Sequence, residues 1–185
     1  DRAFMDRLAA FAVERFGRID CWVNNAGVSI YGRLTEVSEE DSRRLFDTNF
    51  WGVVNMTKAF LPDLLKRPSA AVLNVSSMGG FLPVPGQAAY GASKAAVKLF
   101  TEALYAETRG TGLSVTIVIP GGVGTNITAN SGVEMKMPEG ADAGKAYKMT
   151  DVVDAGRMII EGLEKGSYRV LGGGDAKFMD RMARL

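Results

Sequence analysis

The sequence predicts an α/β domain of the doubly wound class, in which helices flank a parallel sheet. Its 185 residues, 46% of them hydrophobic and 23% charged, have the balance of one soluble domain with a sizeable core. Segments with helical periodicity alternate along the chain with short apolar runs. These runs are almost continuously apolar, which is typical of strands buried on both faces of a parallel sheet.

The first helix is predicted over residues 1–16, with Gly17 as its stop. Its apolar residues at helical spacing are Phe4, Leu8, Phe11 and Phe16. The run 19–24 then predicts a strand buried on both faces. It contains Cys21, which we expect to behave as a small buried hydrophobe.

The same alternation continues to the end of the chain. Ser38 and Asp41 resemble a capping box that begins a long helix. We predict helices over 39–65, 88–109 and 151–165 and from 175 onward, and strands over 70–75, 113–119 and 168–171. Residues 126–149 show no clean period and predict a substrate lid or other mobile surface segment. Neither a repeat nor a linker divides the sequence, so a single domain over 1–185 is expected.

Composition excludes several classes of function. The formal net charge is +1, from 22 basic and 21 acidic residues, and no basic stripe is visible, so a nucleic-acid partner is not expected. No apolar run approaches the roughly 18 residues of a membrane span. The single cysteine allows no intrachain disulfide and fits a reduced, cytoplasmic setting.

The absence of histidine bears directly on catalysis. This sequence cannot form a Ser-His-Asp triad or a histidine-ligated metal centre, and no metal site is predicted. Proton transfer near neutral pH would therefore fall to Tyr, Lys, Asp or Glu side chains.

Tyr90 and Lys94 are the first candidates for that chemistry. A spacing of four places both on one helix face, about 6 Å apart at their Cβ atoms. A nearby ammonium favours phenolate and lowers the pKa of a tyrosine, so Tyr90 is a candidate general acid/base. Taken alone, the pair is better explained as an aromatic and a lysine side chain on a helix surface.

Ser76, Ser77 and Asn49 are weaker signals. The two serines end a predicted strand, where a hydroxyl can hydrogen-bond a substrate oxygen or simply form a turn. Asn49 lies inside a predicted helix although asparagine is a poor helix former. It either faces solvent or holds a water or a backbone group.

Two turns of small residues also follow strands, as ligand-contacting turns do in open α/β sheets. They are Asn24-Asn25-Ala26-Gly27 and Pro120-Gly121-Gly122-Val123-Gly124-Thr125. Small residues let a backbone pass close to a ligand, although each segment is also explained as an ordinary strand-to-loop turn.

Together these motifs resemble the classical short-chain dehydrogenase/reductase family. They occur in the family's order, and Ser77 precedes Tyr90 by the family's usual thirteen residues, which selects Ser77 over Ser76. The resemblance covers nearly the whole chain. It implies a Rossmann-type fold, an NAD or NADP cofactor, and interconversion of an alcohol and a ketone or aldehyde.

The resemblance also implies roles for single residues. Tyr90 would exchange a proton with the substrate oxygen, and Ser77 would orient that oxygen. Lys94 would lower the pKa of Tyr90 and bind the nicotinamide ribose, while Asn49 would hold a relay water. The residues implied in cofactor binding are Asn24, Ala26, Gly27, Tyr90, Lys94, Pro120, Gly121, Val123 and Thr125.

The family's Gly-rich turn, which carries the cofactor pyrophosphate, does not precede Asn24. A strand at 19–24 buried on both faces also needs a neighbour on its other edge. We therefore expect a preceding segment of about 60 residues, two βαβ units' worth, in the natural protein. Because that segment would hold the residue that selects NAD or NADP, the sequence leaves this choice open.

Other activities on the same fold stay open, namely epimerase or dehydratase chemistry and a non-catalytic binding or scaffold role. The Ser-Tyr-Lys-Asn set favours oxidoreduction over both. The family pairs two long helices between subunits, which implies a homodimer or homotetramer through 39–65 and 88–109.

Overall fold

The computed structural model describes residues 1–127 and 149–182. Within them, four parallel strands form one sheet in the order β1-β2-β3-β4. The strands are β1 at Cys21–Asn24, β2 at Ala70–Val75, β3 at Leu113–Pro120 and β4 at Arg169–Gly172. Helices flank this sheet, so the predicted doubly wound, Rossmann-type α/β class is confirmed.

The helices lie between these strands and at both ends of the described chain. They are α1 at Arg2–Phe16, α2 at Glu39–Phe46, α3 at Gly52–Leu64, α4 at Ala88–Glu107, α5 at Val152–Glu164 and α6 at Gly174–Met182. A π-helical segment, Asp47–Trp51, joins α2 to α3, and a short 3-10 turn, Met78–Gly80, follows β2. Most bounds lie within two residues of those predicted.

Two helix ends show why these sequences start and stop helices where they do. The Ser38 hydroxyl accepts a hydrogen bond of 3.0 Å from the backbone N–H of Asp41, as the capping box predicts. Gly17 ends α1 with a φ of 77°, a left-handed conformation that glycine adopts without steric cost.

The main core lies where α1, α3 and α4 meet the central strands. Phe60 and Leu64 of α3 pack there with Val72 of β2, and all three side chains are almost fully buried. The indole of Trp22 stacks on Phe60 with ring centroids 4.2 Å apart. This packing fixes α3 against β1 and β2, and so fixes the segments that follow the two strands.

α1 is helical as predicted, but its buried face is not the one that the phenylalanines indicated. Phe4, Phe11 and Phe16 are 52%, 59% and 71% exposed. Met5, Leu8, Ala9 and Ala12 pack against the core instead. The face of α1 toward the core thus carries smaller or more flexible apolar side chains, and the aromatic rings lie on its exposed faces.

β1 differs from the expected strand with two buried faces. It lies at an edge of the sheet as described and pairs with β2 alone. Cys21, expected to be buried, is exposed, and Val23 is 39% exposed. Only one side of β1 therefore has the packing partners that a two-face-buried strand requires.

The predicted continuous helix over 39–65 is interrupted. The backbone N–H of Gly52 bonds to the carbonyl oxygen of Asp47, five residues earlier, which defines a π-turn. Asn49 lies within this turn and is fully buried. The unfavourable helix residue in the sequence thus marks a wider turn, and one of the two alternatives for Asn49, exposure to solvent, is wrong.

The parallel register brings the polar strand ends to one edge of the sheet. Asn24 pairs with Asn74, Val75 with Val118, and Pro120 with Gly172. The segments that follow β1, β2 and β3 are therefore neighbours. Most of the predicted lid, residues 128–148, lies outside the described residues. Among the described helices, none is long and apolar enough to cross a bilayer.

Candidate active site

Ser77 and Tyr90 meet where β2 ends and α4 begins. Ser77 directly precedes the 3-10 turn, and its hydroxyl accepts a hydrogen bond of 3.2 Å from the backbone N–H of Gly79. Tyr90 lies in the first turn of α4, is 9% exposed, and hydrogen-bonds to the Ser77 side chain. The two hydroxyls can therefore address one substrate oxygen together.

Glycine makes this meeting possible. Gly79 lies near both side chains, and a Cβ there would make ordinary van der Waals contacts of 3.5 Å with Tyr90 Cε1 and 3.7 Å with Ser77 Oγ. A Cβ on Gly91 would lie only 2.7 Å from the carbonyl oxygen of Gly79. The first turn of α4 can thus approach the 3-10 turn closely because Gly91 has no side chain.

Ser76, the alternative serine, has a different task. Its hydroxyl is buried and donates a 2.8 Å hydrogen bond to the carbonyl oxygen of Lys94. This bond ties the end of β2 to the middle of α4. Ser77, by contrast, is hydrogen-bonded to Tyr90.

Burial raises the pKa of Tyr90, because a phenolate loses hydration in this environment. The hydrogen bond from Ser77 acts in the opposite direction and lowers the pKa, whereas the nearby Tyr31 raises it further. The expected lowering by Lys94 is not what this geometry gives. The group that stabilises the Tyr90 phenolate here is the Ser77 hydroxyl.

Lys94 is buried one helical turn beyond Tyr90, with only 4% of its surface exposed. Its ammonium donates a 3.0 Å hydrogen bond to the carbonyl oxygen of Val75. Burial lowers its pKa to about 8, since the charged form is poorly solvated. An ammonium has three protons to donate, so this group can also bind a hydroxyl-bearing ligand.

Asn49 connects three parts of the site. Its Oδ1 accepts a 2.8 Å hydrogen bond from the backbone N–H of Val28, and its Nδ2 donates to the Val28 carbonyl oxygen at 2.9 Å. Nδ2 also donates to Ser93 Oγ at 3.0 Å, and Ser93 donates to the carbonyl oxygen of Tyr90. Both amide protons thus serve the protein, which leaves a lone pair of Oδ1 for a relay water.

Gly27, in the turn after β1, lies close to two polar side chains of the site. A Cβ on Gly27 would lie 3.2 Å from Asn49 Oδ1 and 3.3 Å from Lys94 Nζ. Ala26, beside it, is exposed. Because Gly27 has no side chain, the turn after β1 can lie directly against the polar groups of Asn49 and Lys94.

Asn24, expected along the cofactor, directs its side chain into the sheet instead. Its Oδ1 accepts a 2.7 Å hydrogen bond from the indole N–H of Trp22. Its Nδ2 donates to Asn74 Oδ1 at 2.8 Å, and Asn74 in turn donates to Thr101 Oγ1 at 2.9 Å. This buried chain of amides joins β1, β2 and α4, so Asn24 stabilises the strand end that carries Gly27.

The loop Pro120–Thr125 follows β3, and backbone hydrogen bonds shape it. The N–H of Gly121 donates to the carbonyl oxygen of Gly172 at 2.9 Å. The N–H of Thr150 donates to the carbonyl oxygen of Gly122 at 2.8 Å, and Val123 bridges to Thr150. Thr125 is exposed at the end of the loop.

The structure therefore brings Ser77, Tyr90, Lys94, Asn49 and Gly27 together. Sequence reasoning missed Ser93 and Asp175, two residues whose side chains hold parts of this site. Ser93 gives no signal that separates it from other helical serines. Asp175 gives a weak one, because an acidic residue follows a glycine run at the start of a helix. Over residues 1–127 and 149–182, no His, Cys, Asp or Glu group is placed to hold a metal.

The chain matches the family model described as short chain dehydrogenase over residues 1–136. It is 38% identical over 180 residues to the Mycobacterium tuberculosis protein named "Putative oxidoreductase SadH". That alignment covers 94% of this chain and 64% of the relative. The chain thus spans less than two thirds of the length of this relative.

Two solved structures resemble the whole fold. A short-chain dehydrogenase/reductase from Burkholderia phymatum, in complex with NAD, is 26% identical with a TM-score of 0.85 over 100% of this chain and 71% of its own. A short-chain dehydrogenase from Burkholderia cenocepacia, in complex with NADP, is 25% identical with a TM-score of 0.80 over 98% of this chain and 71% of its own.

Proposed function

Because the chain belongs to the short-chain dehydrogenase family, we propose that it is an NAD(P)-dependent oxidoreductase that interconverts an alcohol and a ketone or aldehyde. The observation that carries this proposal is a buried Tyr90 hydrogen-bonded to Ser77, one helical turn before a buried Lys94. In a chain without histidine, this set supplies an acid/base, an oxygen-binding hydroxyl and a cation within one site.

Tyr90 is the general acid/base of the proposal. During reduction its neutral hydroxyl donates a proton to the carbonyl oxygen as negative charge develops there. During oxidation its phenolate accepts the proton of the alcohol. A raised pKa keeps Tyr90 protonated near neutral pH, which suits the reducing direction.

Ser77 orients the substrate oxygen. Its hydroxyl lies beside that of Tyr90 and at the end of a rigid strand, so it can donate to an oxygen that develops negative charge. The backbone N–H of Gly79 already donates to Ser77 Oγ, which leaves the serine proton free to point toward the substrate or Tyr90.

Lys94 and Gly27 would hold the nicotinamide ribose. The backbone of Gly27 lies close to Lys94 Nζ, and the ammonium has protons left after its bond to Val75. The loop Pro120–Thr125 would cover the nicotinamide, with Gly121 and Val123 lining it. NAD or NADP supplies or accepts the hydride when bound. One structural neighbour holds NAD and another NADP, and we propose either for this chain.

Asn49 would act mainly as a positioning residue, with its relay water limited to the remaining lone pair of Oδ1. By binding Val28 and Ser93 it fixes the turn after β1 relative to α4. This places Gly27 beside Lys94. The proton path from Tyr90 to solvent would then pass along Lys94 toward that water.

The test compares the native full-length protein with Tyr90→Phe in single-turnover reduction of a panel of ketones and aldehydes, followed by NAD(P)H fluorescence. We expect the variant to bind cofactor normally and to transfer hydride about 10²–10⁴-fold more slowly. Tyr105→Phe, which alters a tyrosine on the same helix away from the site, is the control. Equal rates for Tyr90→Phe and wild type would overturn the acid/base assignment.

Two predictions concern the whole protein: its oligomeric state, which the resemblance implies, and its cytoplasmic location, which the single cysteine indicates. A homodimer or homotetramer through 39–65 and 88–109 is supported by exposed apolar side chains in both regions, Trp51 at 49% and Leu99 at 68%. Light scattering of wild type and Leu99→Glu would test it, with a monomeric wild type as the contrary result. The predicted cytoplasmic location is tested by cell fractionation.

A further inference from the structure

The carboxylate of Asp175 joins the loop after β3 to the start of α6. Its Oδ2 accepts a 2.8 Å hydrogen bond from the backbone N–H of Gly122. Its Oδ1 accepts a second bond of 2.8 Å from the N–H of Ala176. The Asp175 carboxylate therefore connects the loop to the helix through one hydrogen bond to each.

The same carboxylate packs directly on Gly121. A Cβ at that position would lie only 2.1 Å and 2.2 Å from the two carboxylate oxygens of Asp175. The Asp175 carboxylate thus occupies the space that a Cβ at position 121 would need. The two residues are matched: a larger residue at 121 displaces the carboxylate, and the loss of the carboxylate removes the need for glycine.

Asp175 completes the restraint of the Gly122 backbone. The carbonyl oxygen of Gly122 accepts a hydrogen bond from the backbone N–H of Thr150, and its N–H donates to Asp175. Between Gly121 and Gly124, Asp175 contributes the side-chain acceptor and backbone groups contribute the rest. The orientation of the Gly121–Gly122 peptide thus depends on one carboxylate in α6.

α6 is itself well anchored. Ala176 is fully buried and packs with Met78, which directly follows Ser77, and with Ile117 and Ile119 of β3. Further along the helix, Asp180 forms an ion pair with Arg169 of β4. Asp175 is therefore held by a helix whose position is fixed on both the β3 side and the Ser77 side of the site.

We propose that Asp175 is a positioning residue for the cofactor, which sets the loop Pro120–Thr125 in the conformation that receives the nicotinamide. This inference rests on the proposed function, because it requires that the loop contact NAD or NADP. Asp175 acts through the Gly121–Gly122 backbone. A preformed loop binds more tightly than one that must be ordered during binding.

The experiment measures dissociation constants of NADH and NADPH by fluorescence titration of the full-length protein, together with melting temperatures. Asp175→Ala is expected to weaken cofactor binding about tenfold, the effect of losing one hydrogen bond to a charged acceptor. Asp175→Asn keeps the shape and one acceptor oxygen, and we expect it to recover part of that loss. It also serves as the readable variant if Asp175→Ala does not fold.

Asp180→Asn is the matched control, since it removes the carboxylate that pairs with Arg169 and anchors the same helix. A lower melting temperature with cofactor affinity near that of wild type is expected for it. Equal losses of affinity in Asp175→Asn and Asp180→Asn would show that Asp175 acts only through the stability of α6, and would overturn the proposal.

A double-mutant cycle with Gly121→Ala tests the contact itself. Gly121→Ala alone should displace the carboxylate and weaken binding, whereas its effect in the Asp175→Ala background should be much smaller. Additive effects would contradict the proposal. If wild type binds neither nucleotide, the proposed function fails and this inference with it. If wild type binds and Asp175→Ala binds equally well, only the inference fails.

Discussion

The amide side chain of Asn49 forms hydrogen bonds to both the backbone N–H and the backbone carbonyl oxygen of Val28. It accepts a hydrogen bond from the Val28 N–H at 2.8 Å and donates one to the Val28 carbonyl oxygen at 2.9 Å. A neighbouring β-strand would make the same pair of bonds, but within residues 1–127 and 149–182 no strand pairs with Val28. The fully buried side chain of Asn49, within the π-turn, makes these two bonds instead.

Removing this side chain is therefore costly. Asn49→Ala leaves the partly buried N–H and carbonyl oxygen of Val28 without these partners, and an unsatisfied group costs up to about 1–3 kcal/mol when it is fully buried. We expect the free energy of unfolding to fall by roughly 2–4 kcal/mol, measured by urea denaturation. Asn25→Ala, at an exposed asparagine of the turn after β1, is the control and should change the free energy of unfolding by less than about 0.5 kcal/mol. Equal losses in the two variants would contradict the role of Asn49.

Ser77→Ala should shift the pH dependence of alcohol oxidation. Oxidation needs the Tyr90 phenolate, so the rate rises with pH as Tyr90 loses its proton. The hydrogen bond from Ser77 lowers the pKa of Tyr90, and without it the alkaline midpoint of kcat/KM should move upward. At a fixed pH the rate should also fall, by about 10²–10³-fold.

Ser76→Ala provides the comparison for that shift. Its hydroxyl donates to the carbonyl oxygen of Lys94 rather than to the Tyr90 side chain, so its loss should leave the alkaline midpoint in place. A Ser77→Ala profile with the wild-type midpoint would show that Ser77 does not stabilise the phenolate.

Lys94→Met should change how stability depends on pH. The pKa of Lys94 is about 8 in the folded protein and 10.5 for the free side chain. Between these values the unfolded chain holds a proton that the folded protein has released, so the stability of wild type rises with pH. Relative to Lys94→Met, wild type should gain about 1.4 kcal/mol for each pH unit in this window.

Urea denaturation of both proteins from pH 7 to pH 11 measures this difference. Tyrosines and other lysines titrate in both, so their contributions cancel in the comparison. Lys98→Met, one turn further along α4, controls for the loss of a lysine from that helix. A constant difference across the window would mean that the Lys94 ammonium is not destabilised by burial.

Gly91→Ala should separate Tyr90 from Ser77. The added Cβ would lie 2.7 Å from the carbonyl oxygen of Gly79, so the first turn of α4 must move away from the 3-10 turn. We expect overpacking to cost about 1–3 kcal/mol of stability, with a clear loss of kcat.

Gly156→Ala is the matched control, because Gly156 also lies in a helix but a Cβ added there would meet no other atom within 4 Å. Alanine is the better helix former, so this change should stabilise the protein by up to about 1 kcal/mol. Similar behaviour of the two alanine variants would show that the close approach at Gly91 does not matter.

The sheet and its helices could be predicted because period and capping are local properties of the sequence. Ser38 and Gly17 mark helix ends through their own side chain or its absence, and both act as expected. The candidate residues could be grouped because parallel strands bring their carboxyl ends to one edge. Ser77 and Tyr90, thirteen positions apart, both follow β2, and they are neighbours because α4 begins close to the 3-10 turn at the end of that strand.

What failed depends on packing that no local pattern contains. The aromatic residues of α1 have helical spacing, yet the face of α1 that packs against the core carries smaller apolar side chains. The spacing of Tyr90 and Lys94 indicated a lowered pKa for the tyrosine, but the result depends on burial and on where the ammonium donates. Asp175 could not be connected with Gly122 because 53 residues separate them.

The π-turn at Asp47–Trp51 also fixes the length of the chain in this region. It holds one residue more than an α-helical turn would, and each residue of an α-helix rotates the chain by about 100°. Deleting one residue between Ser38 and Val53 would therefore turn α3 against α2 and carry Phe60 and Leu64 out of the core. Homologous sequences should vary in length in their loops and remain ungapped across this stretch.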